Sequence, residues 1–254
     1  MRLEGKVAVL TGAVGGIGSA IVEKFVAEGA KVVAADLNSE ALQQLEAKYG
    51  DSVKGIVTDV SDYQQVARMV DTAVETFGTL DIVMNNAGIG ALKRLIDHDP
   101  AEDFDFAIKV NQNGVYYGIL AAAKKFEALG KPGVIINTSS IYGTMTAEMS
   151  FSYNTSKAAV DMMTKSAALE LAPLNIRVVA MAPGRCDTPL LREYEKVGLW
   201  EHIKKEQMRG LTQPYEIANV FAFLASEESN CINGCTVYGD DGFLQFKFPL
   251  EPKM

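Results

Sequence analysis

The sequence predicts an α/β chain built on a doubly wound parallel sheet, and three observations carry that prediction. Short apolar runs alternate with amphipathic stretches along most of the chain. Several runs, such as KVAVLTG at 6–12 and KVVAAD at 31–36, are nearly continuous in Val, Ile, Leu and Ala, as strands buried on both faces are. The unusual glycine and polar residues stand where the runs end, and sheets of this kind bind ligands beyond the carboxyl ends of their strands.

Each element follows in order. The first strand, 6–12, runs into the turn TGAVGGIG and a helix over 17–29. The second, 31–36, ends on Asp36, and Asn38 or Ser39 is placed to cap a helix over 39–48. The third, 53–59, ends on Asp59, with Asp59 or Ser61 as the cap of a helix over 62–77. The fourth, 80–88, closes on NNAG and precedes a long helix over 100–129. The fifth, 133–140, ends on two serines before a helix over 151–172. The sixth, 176–184, ends on Pro183 and Gly184, and a helix over 214–225 leads to a last strand over 235–240. Strand–helix–strand alternation gives right-handed crossovers. No repeat, low-complexity tract or Pro/Gly linker divides the chain, so one domain over 1–254 is expected.

Composition narrows the function. A net charge of −8 argues against a nucleic-acid partner, which would require a basic stripe. No apolar run is long enough to span a bilayer. The start MRLEGKVAVLTG lacks a signal-peptide layout, so a cytoplasmic location is expected. Three cysteines without a CxxC pattern give neither a disulfide framework nor a zinc cage, and no metal is expected. With only His98 and His202 present, a His-based triad has little to work with.

Gly12, Gly15, Gly16, Ile17 and Gly18 lie between a strand and a helix, where glycines let a pyrophosphate approach backbone amides. Asp36 stands about twenty residues further on, where a carboxylate can bond a ribose 2′-hydroxyl. It would repel a 2′-phosphate, and neither Val14 nor Leu37 supplies a rescuing cation, so NAD is favoured over NADP. In SYNTSKAAVDMM, 152–163, Tyr153 and Lys157 are four residues apart and share a helix face. Those two residues alone read more readily as an exposed helix-terminal pair.

TGAVGGIG, NNAG (85–88), VNQNG (110–114), INTSS (136–140), YNTSK (153–157) and PGRCDT (183–188) occur in this order, and together they resemble the short-chain dehydrogenase/reductase family from about Leu3 to Phe243. The resemblance implies a Rossmann fold with a seven-stranded sheet and a dehydrogenase that moves hydride between a secondary alcohol and NAD. Tyr153 would be the acid/base, its pKa lowered by the Lys157 ammonium and the positive nicotinamide. Lys157 would also bond the nicotinamide ribose. Ser140 would hold the substrate oxygen, with Ser139 facing the opposite way. Asn111, rather than Asn113, would bend the long helix and hold a relay water. Asn86, Ala87 and Gly88 match residues beside the adenosine ribose, and Asp59 and Val60 match the adenine edge. Thr188, after Pro183 and Gly184, matches the residue that bonds the carboxamide. Cys186 sits where the family usually has Val or Ile, and reads as a small apolar stand-in. Thr212 stands where many relatives carry Gly.

The segment 185–210 mixes Leu190, Leu191, Tyr194, Val197, Leu199, Trp200 and Ile203 with many charges. It reads as an amphipathic lid over an apolar pocket, or equally as core and subunit contacts. Ile89 to Ile96 and Met145 to Phe151 would form other walls. The substrate expected is a bulky hydrophobic alcohol or ketone such as a steroid or bile acid, with Arg185, Arg192 and Lys196 leaving an anionic tail open. By resemblance, the helices at 100–129 and 151–172 would build a tetramer, and the aromatic tail FLQFKFPLEPKM suits subunit packing. Two other readings stand beside this one: a non-catalytic dinucleotide sensor or scaffold, and an NADP-dependent carbonyl reductase.

Overall fold

A computed structural model describes residues 1–90 and 92–245. Its strands are β1 (Val7–Thr11), β2 (Lys31–Asp36), β3 (Val53–Val57), β4 (Ile82–Asn85), β5 (Gly133–Thr138), β6 (Ile176–Pro183) and β7 (Thr236–Gly239). They form one sheet in the order β3-β2-β1-β4-β5-β6-β7, and every pairing is parallel. The strand order reverses between β1 and β4, which places the ligand crevice beyond their carboxyl ends.

Alternation along each strand builds two cores. Ala8, Leu10, Val32 and Ala34 face α1 (Gly16–Ala27), α2 (Ser39–Tyr49) and the Pro214–Ala225 helix, through Ile21, Phe25, Leu42, Ile217 and Phe221. Val7, Val9, Val33 and Ala35 face α3 (Tyr63–Phe77) and the Gly114–Leu129 and Phe151–Leu171 helices, through Val66, Met69, Ile119, Phe126 and Val160. This double covering explains the continuous apolar strands. It is the Rossmann architecture expected from the sequence.

The departures are local. Asn38 caps α2, its side chain accepting from the Ala41 amide at 3.1 Å. Asp62, not Asp59 or Ser61, caps α3 by accepting from the Gln64 amide at 2.8 Å. Asp59 instead closes the preceding turn, accepting from the Ser61 amide at 2.9 Å. The helix expected over 100–129 is not uniform: π-type turns at Pro100–Asp105 and Lys109–Asn113 flank Phe106–Ile108 before Gly114–Leu129 continues as α-helix. Such turns widen a helix and re-aim its side chains. The tail beyond 245, and Ala91 in one proposed pocket wall, lie outside the described residues.

A buried polar ladder locks the sheet centre. Asn85 Nδ2 donates to Asn137 Oδ1 at 2.8 Å, and Asn137 Nδ2 donates to Thr164 Oγ1 at 3.0 Å. Gly118 lies directly over it: a Cβ there would stand 1.8 Å from Asn85 Oδ1. Gly118→Ala should therefore cost about 1–3 kcal/mol through overpacking, lowering Tm by several degrees despite the better helix propensity of alanine. An unchanged Tm in thermal unfolding would contradict the close contact.

Candidate active site

The site begins at the β1 turn. Gly12 has φ +65°, and a Cβ on it would come 2.9 Å from Ala87 Cα. Gly15 is the N-cap of α1, and no side chain caps that end. Gly16, Ile17 and Gly18 form its first turn, so their amides lie at a helix N-terminus that no side chain caps by a hydrogen bond, the arrangement that receives phosphate. Thr188 closes over this loop; a Cβ on Gly16 would lie 2.9 Å from Thr188 Cγ2.

Asp36 ends β2 with its carboxylate held in place. One oxygen accepts from the Val14 amide at 3.2 Å and the other from the Asn38 amide at 3.2 Å. Among the described residues it makes no ion pair, and Leu37 beside it is 68% exposed. The Val14 contact ties the carboxylate to the glycine loop, a pairing with no signal in the sequence. Val60 packs against Gly114, where a Cβ would stand 3.0 Å from Val60 Cγ2.

Asn86 is a junction between strand ends. Its amide donates to Thr11 Oγ1 at 2.9 Å, its side chain donates to Thr11 O at 3.0 Å, and its Oδ1 accepts from Thr138 Oγ1 at 3.2 Å. The Ala87 amide also donates to Thr11 Oγ1, at 3.0 Å. A Cβ on Gly88 would lie 3.3 Å from Asn111 Oδ1 and 3.4 Å from Lys157 Nζ, so the chain passes here between those two groups.

Asn111 sits in the second π-type turn and is fully buried. Its Oδ1 accepts from the Ile89 amide at 2.8 Å, and its Nδ2 donates to Ile89 O at 2.8 Å and Ser156 Oγ at 3.2 Å. The side chain thus pairs with the loop after β4 as a strand would. Asn113 is half-buried and makes no side-chain hydrogen bond among the described residues, which singles out Asn111.

Tyr153 and Lys157 lie on the first turns of the Phe151–Leu171 helix, as their spacing predicted. Lys157 is 2% exposed, and Nζ donates to Thr138 O at 2.8 Å. It stands 5.6 Å from the Tyr153 ring centroid. Burial lowers its pKa to about 8, opposed by the Asp161 carboxylate. The Tyr153 phenol goes the other way: burial raises its pKa, and the neighbouring Ser140 hydroxyl pulls it back. Lys157 does not lower the phenol in the protein alone. Its ammonium is turned to the Thr138 carbonyl, and desolvation dominates. Ser140 Oγ accepts from the Tyr142 amide at 3.2 Å, whereas Ser139 Oγ donates away from the site to Lys157 O at 3.4 Å.

The β6 end completes the wall. The Gly184 amide donates to Gly239 O at 3.0 Å. Cys186 turns into the core and is 4% exposed; burial pushes its thiol up to about 12, so it is inert at neutral pH. Thr188 Oγ1 donates to Cys186 O at 3.3 Å and accepts from the Leu191 amide at 3.3 Å. Thr212, in the place of the usual Gly, ties both ends of the 185–210 segment: its amide donates to Arg185 O at 2.9 Å, and its hydroxyl accepts from Gln207 at 3.0 Å. Two short helices, Glu193–Lys196 and Trp200–Ile203, lie in the segment after β6 that the sequence offered as a lid. Leu190 reaches across from it; a Cβ on Gly90 would lie 3.1 Å from Leu190 Cδ1. Tyr142, Glu206 and Gln207 join this wall without having stood out in the sequence, because their partners are far away along the chain.

An uncapped glycine turn, a fixed carboxylate at the next strand end, and a Tyr–Lys–Ser–Asn group around one crevice describe a dinucleotide-dependent oxidoreductase. The family profile described as "Enoyl-(Acyl carrier protein) reductase" matches residues 12–244. The chain is 38% identical to 3beta-hydroxysteroid dehydrogenase 2 of Eggerthella lenta over 95% of each chain. It is 35% identical to the NADP-dependent (R)-specific alcohol dehydrogenase of Lentilactobacillus kefiri, covering 95% of this chain and 98% of that one. Among solved structures, the 3-ketoacyl-(acyl-carrier-protein) reductase of Brucella melitensis complexed with NADH is similar at TM-score 0.88 and 34% identity, over 95% of this chain and 99% of that one. The chain belongs to the short-chain dehydrogenase/reductase family. No helix among the described residues is long and apolar enough to cross a membrane.

The buried ammonium has a measurable signature. With its pKa lowered to about 8 in the folded protein, Lys157 loses its proton before its unfolded counterpart does, so folding stability rises as pH increases from about 8 to 10.5. Lys157→Met should abolish that rise and stabilise the protein at neutral pH by a few kcal/mol at most. Denaturant unfolding across this pH range checks it; parallel pH curves for the two proteins would contradict the shift.

Proposed function

We propose that this oxidoreductase interconverts a secondary alcohol and a ketone with NAD, and that its substrate is a bulky hydrophobic molecule such as a steroid or bile acid. The observation that carries the reaction is the convergence of Tyr153, Lys157, Ser140 and Asn111 at the ends of β4 and β5.

The residues present fit a nicotinamide dinucleotide. The N-terminus of α1, which no side chain caps, would receive its pyrophosphate, and Asp36 would accept from its adenosine ribose. Leu37, Asp59 and Val60 flank the adenine side, and Asn86, Ala87 and Gly88 line the floor beneath. Lys157 would bond the second ribose, while Pro183, Gly184, the backbone at Cys186, and Thr188 would border the nicotinamide. When bound, the group supplies a hydride donor or acceptor. Ser140 holds the substrate oxygen beside Tyr153. In ketone reduction Tyr153 gives its proton to that oxygen as the carbon gains hydride; in alcohol oxidation it takes the proton as the carbon loses hydride. Its raised pKa keeps the phenol protonated at neutral pH, suited to the acid role. Asn111, fixed on Ile89, steadies the loop that borders Lys157 and orients a relay water.

NAD rather than NADP rests on the Asp36 carboxylate, which repels a 2′-phosphate and has no cation beside it among the described residues. An NADP-dependent carbonyl reductase would have to overcome that repulsion. A non-catalytic sensor would need the glycine turn and Asp36 but not the Tyr153 group. The apolar lid residues Leu190, Leu191 and Trp200 favour a hydrophobic substrate. The helical run from Pro100 to Leu129 and the Phe151–Leu171 helix would bury their exposed Phe106, Tyr116, Phe151 and Met162 in a homotetramer.

Tyr153→Phe should lower kcat by at least about a thousandfold while leaving the Kd for NADH nearly unchanged; surviving turnover would reject the acid/base assignment. Asp36→Ala should raise the KM for NAD and shrink its advantage over NADP by about tenfold or more. Steady-state assays with both cofactors on hydroxysteroids, bile acids and short secondary alcohols test this, and an unaltered preference would reject the ribose assignment.

A further inference from the structure

Arg185 is a buried charge that the proposed chemistry does not use. It follows Gly184 at the carboxyl end of β6, and its side chain is 6% exposed. Its guanidinium lies between two aromatic rings, 5.1 Å from the Tyr142 centroid and 5.2 Å from the Tyr194 centroid. Nε donates to Glu206, and the Arg185 amide donates to the Gln207 side chain. The group is thus held from β6, from the segment after β5 and from the lid at once. Tyr142 in turn meets the Tyr153 ring edge-on, with centroids 6.4 Å apart. The guanidinium therefore stands one aromatic ring away from the Tyr153 ring.

Nε is spent on Glu206 and the Tyr194 hydroxyl lies within loose hydrogen-bonding reach of the guanidinium, but among the described residues no well-aligned hydrogen bond uses either terminal nitrogen. Those donors are fixed in direction by the stacking rings, so the entropic cost of ordering the side chain is already met by the fold. Glu206 balances the charge. A substrate carboxylate would leave this dehydrated cluster net negative, whereas a neutral oxygen accepts a charge-assisted hydrogen bond without adding charge.

We infer that Arg185 determines specificity by binding a second, neutral oxygen of the substrate, a carbonyl or hydroxyl placed on the ring system away from the reacting carbon. The inference rests on the alcohol–ketone reaction proposed above and sharpens its substrate class. The preferred substrate is a cyclic diketone, hydroxyketone or diol, rather than a molecule whose one oxygen is at the reacting carbon.

The test compares wild type, Arg185→Met and the double variant Arg185→Met/Glu206→Gln, which removes the stranded carboxylate and keeps packing. The probes are cyclohexanone and decalone, the diketones of the same two rings with well-separated carbonyls, and the ring ketones bearing a carboxylate in place of the second carbonyl. NADH oxidation is followed, with NADH binding measured separately. Wild type should favour at least one diketone over its monoketone by about tenfold or more in kcat/KM. Both variants should lose that preference mainly through a higher KM, with a much smaller change for the monoketone. Equal use of mono- and diketones by wild type, a preference that survives in both variants, or a preference for the carboxylate probe would each overturn the inference while leaving the dehydrogenase reading intact. Wild type that binds NADH but turns over neither these ketones nor any hydroxysteroid, bile acid or short secondary alcohol would sink that reading, and this inference with it.

Discussion

Everything at the crevice depends on burying one ammonium. Lys157 is almost fully enclosed, with Thr138 O at 2.8 Å as its hydrogen-bond acceptor and Asp161 as an opposing charge further along the helix. An enclosed cation is costly, and its lowered pKa measures that cost. The bond to Thr138 O joins the Phe151–Leu171 helix to the end of β5 and so fixes Tyr153 in relation to Ser140. The same strand end is tied through Thr138 Oγ1 to Asn86, and through Asn86 to Thr11 and the glycine turn. The proposed phosphate end and the proposed reacting end of the cleft are therefore braced by one continuous polar network.

That network explains where small residues are obligatory. Gly12, Gly16 and Gly88 each stand where another strand end or the lid comes within contact distance. Gly118 does the same beneath the Asn85–Asn137 ladder. Away from these points the walls are ordinary apolar packing. Arg185 is the exception on the lid side, a charge stacked between rings and neutralised by Glu206. Two buried cations thus flank the Tyr153 ring, one from its own helix and one beyond Tyr142. Both lie in a desolvated setting, where their fields are strong.

The architecture was legible because its cause is local. Strands buried on both faces must be apolar along their length, and turns that approach a ligand must be glycine-rich. Asp36, Asn86, Ser140, Tyr153 and Lys157 could be placed because each follows directly on a strand end or helix start. What escaped the sequence are contacts between distant segments. The Val14 amide on Asp36, the Ile89 pairing of Asn111 and the Arg185–Glu206–Tyr142–Tyr194 cluster have no periodicity to betray them. The cap of α3 was misplaced onto Asp59 or Ser61 because several short polar residues there compete for one helix end, and Asp62 wins. In the protein alone the Tyr153 pKa is raised for a related reason: i,i+4 spacing gives proximity to Lys157, but the desolvation produced by the rest of the fold outweighs it.

The central claim is that the Tyr153 phenol is held protonated by burial and becomes a base only when the positive charge of an oxidised nicotinamide arrives. Ultraviolet difference titration of wild type against Tyr153→Phe isolates this one phenol among nine tyrosines. The account predicts that it titrates above an ordinary tyrosine in the protein alone and that saturating NAD brings it down by at least about one unit. A phenol that titrates below the ordinary range without NAD, or that does not respond to NAD, would contradict it.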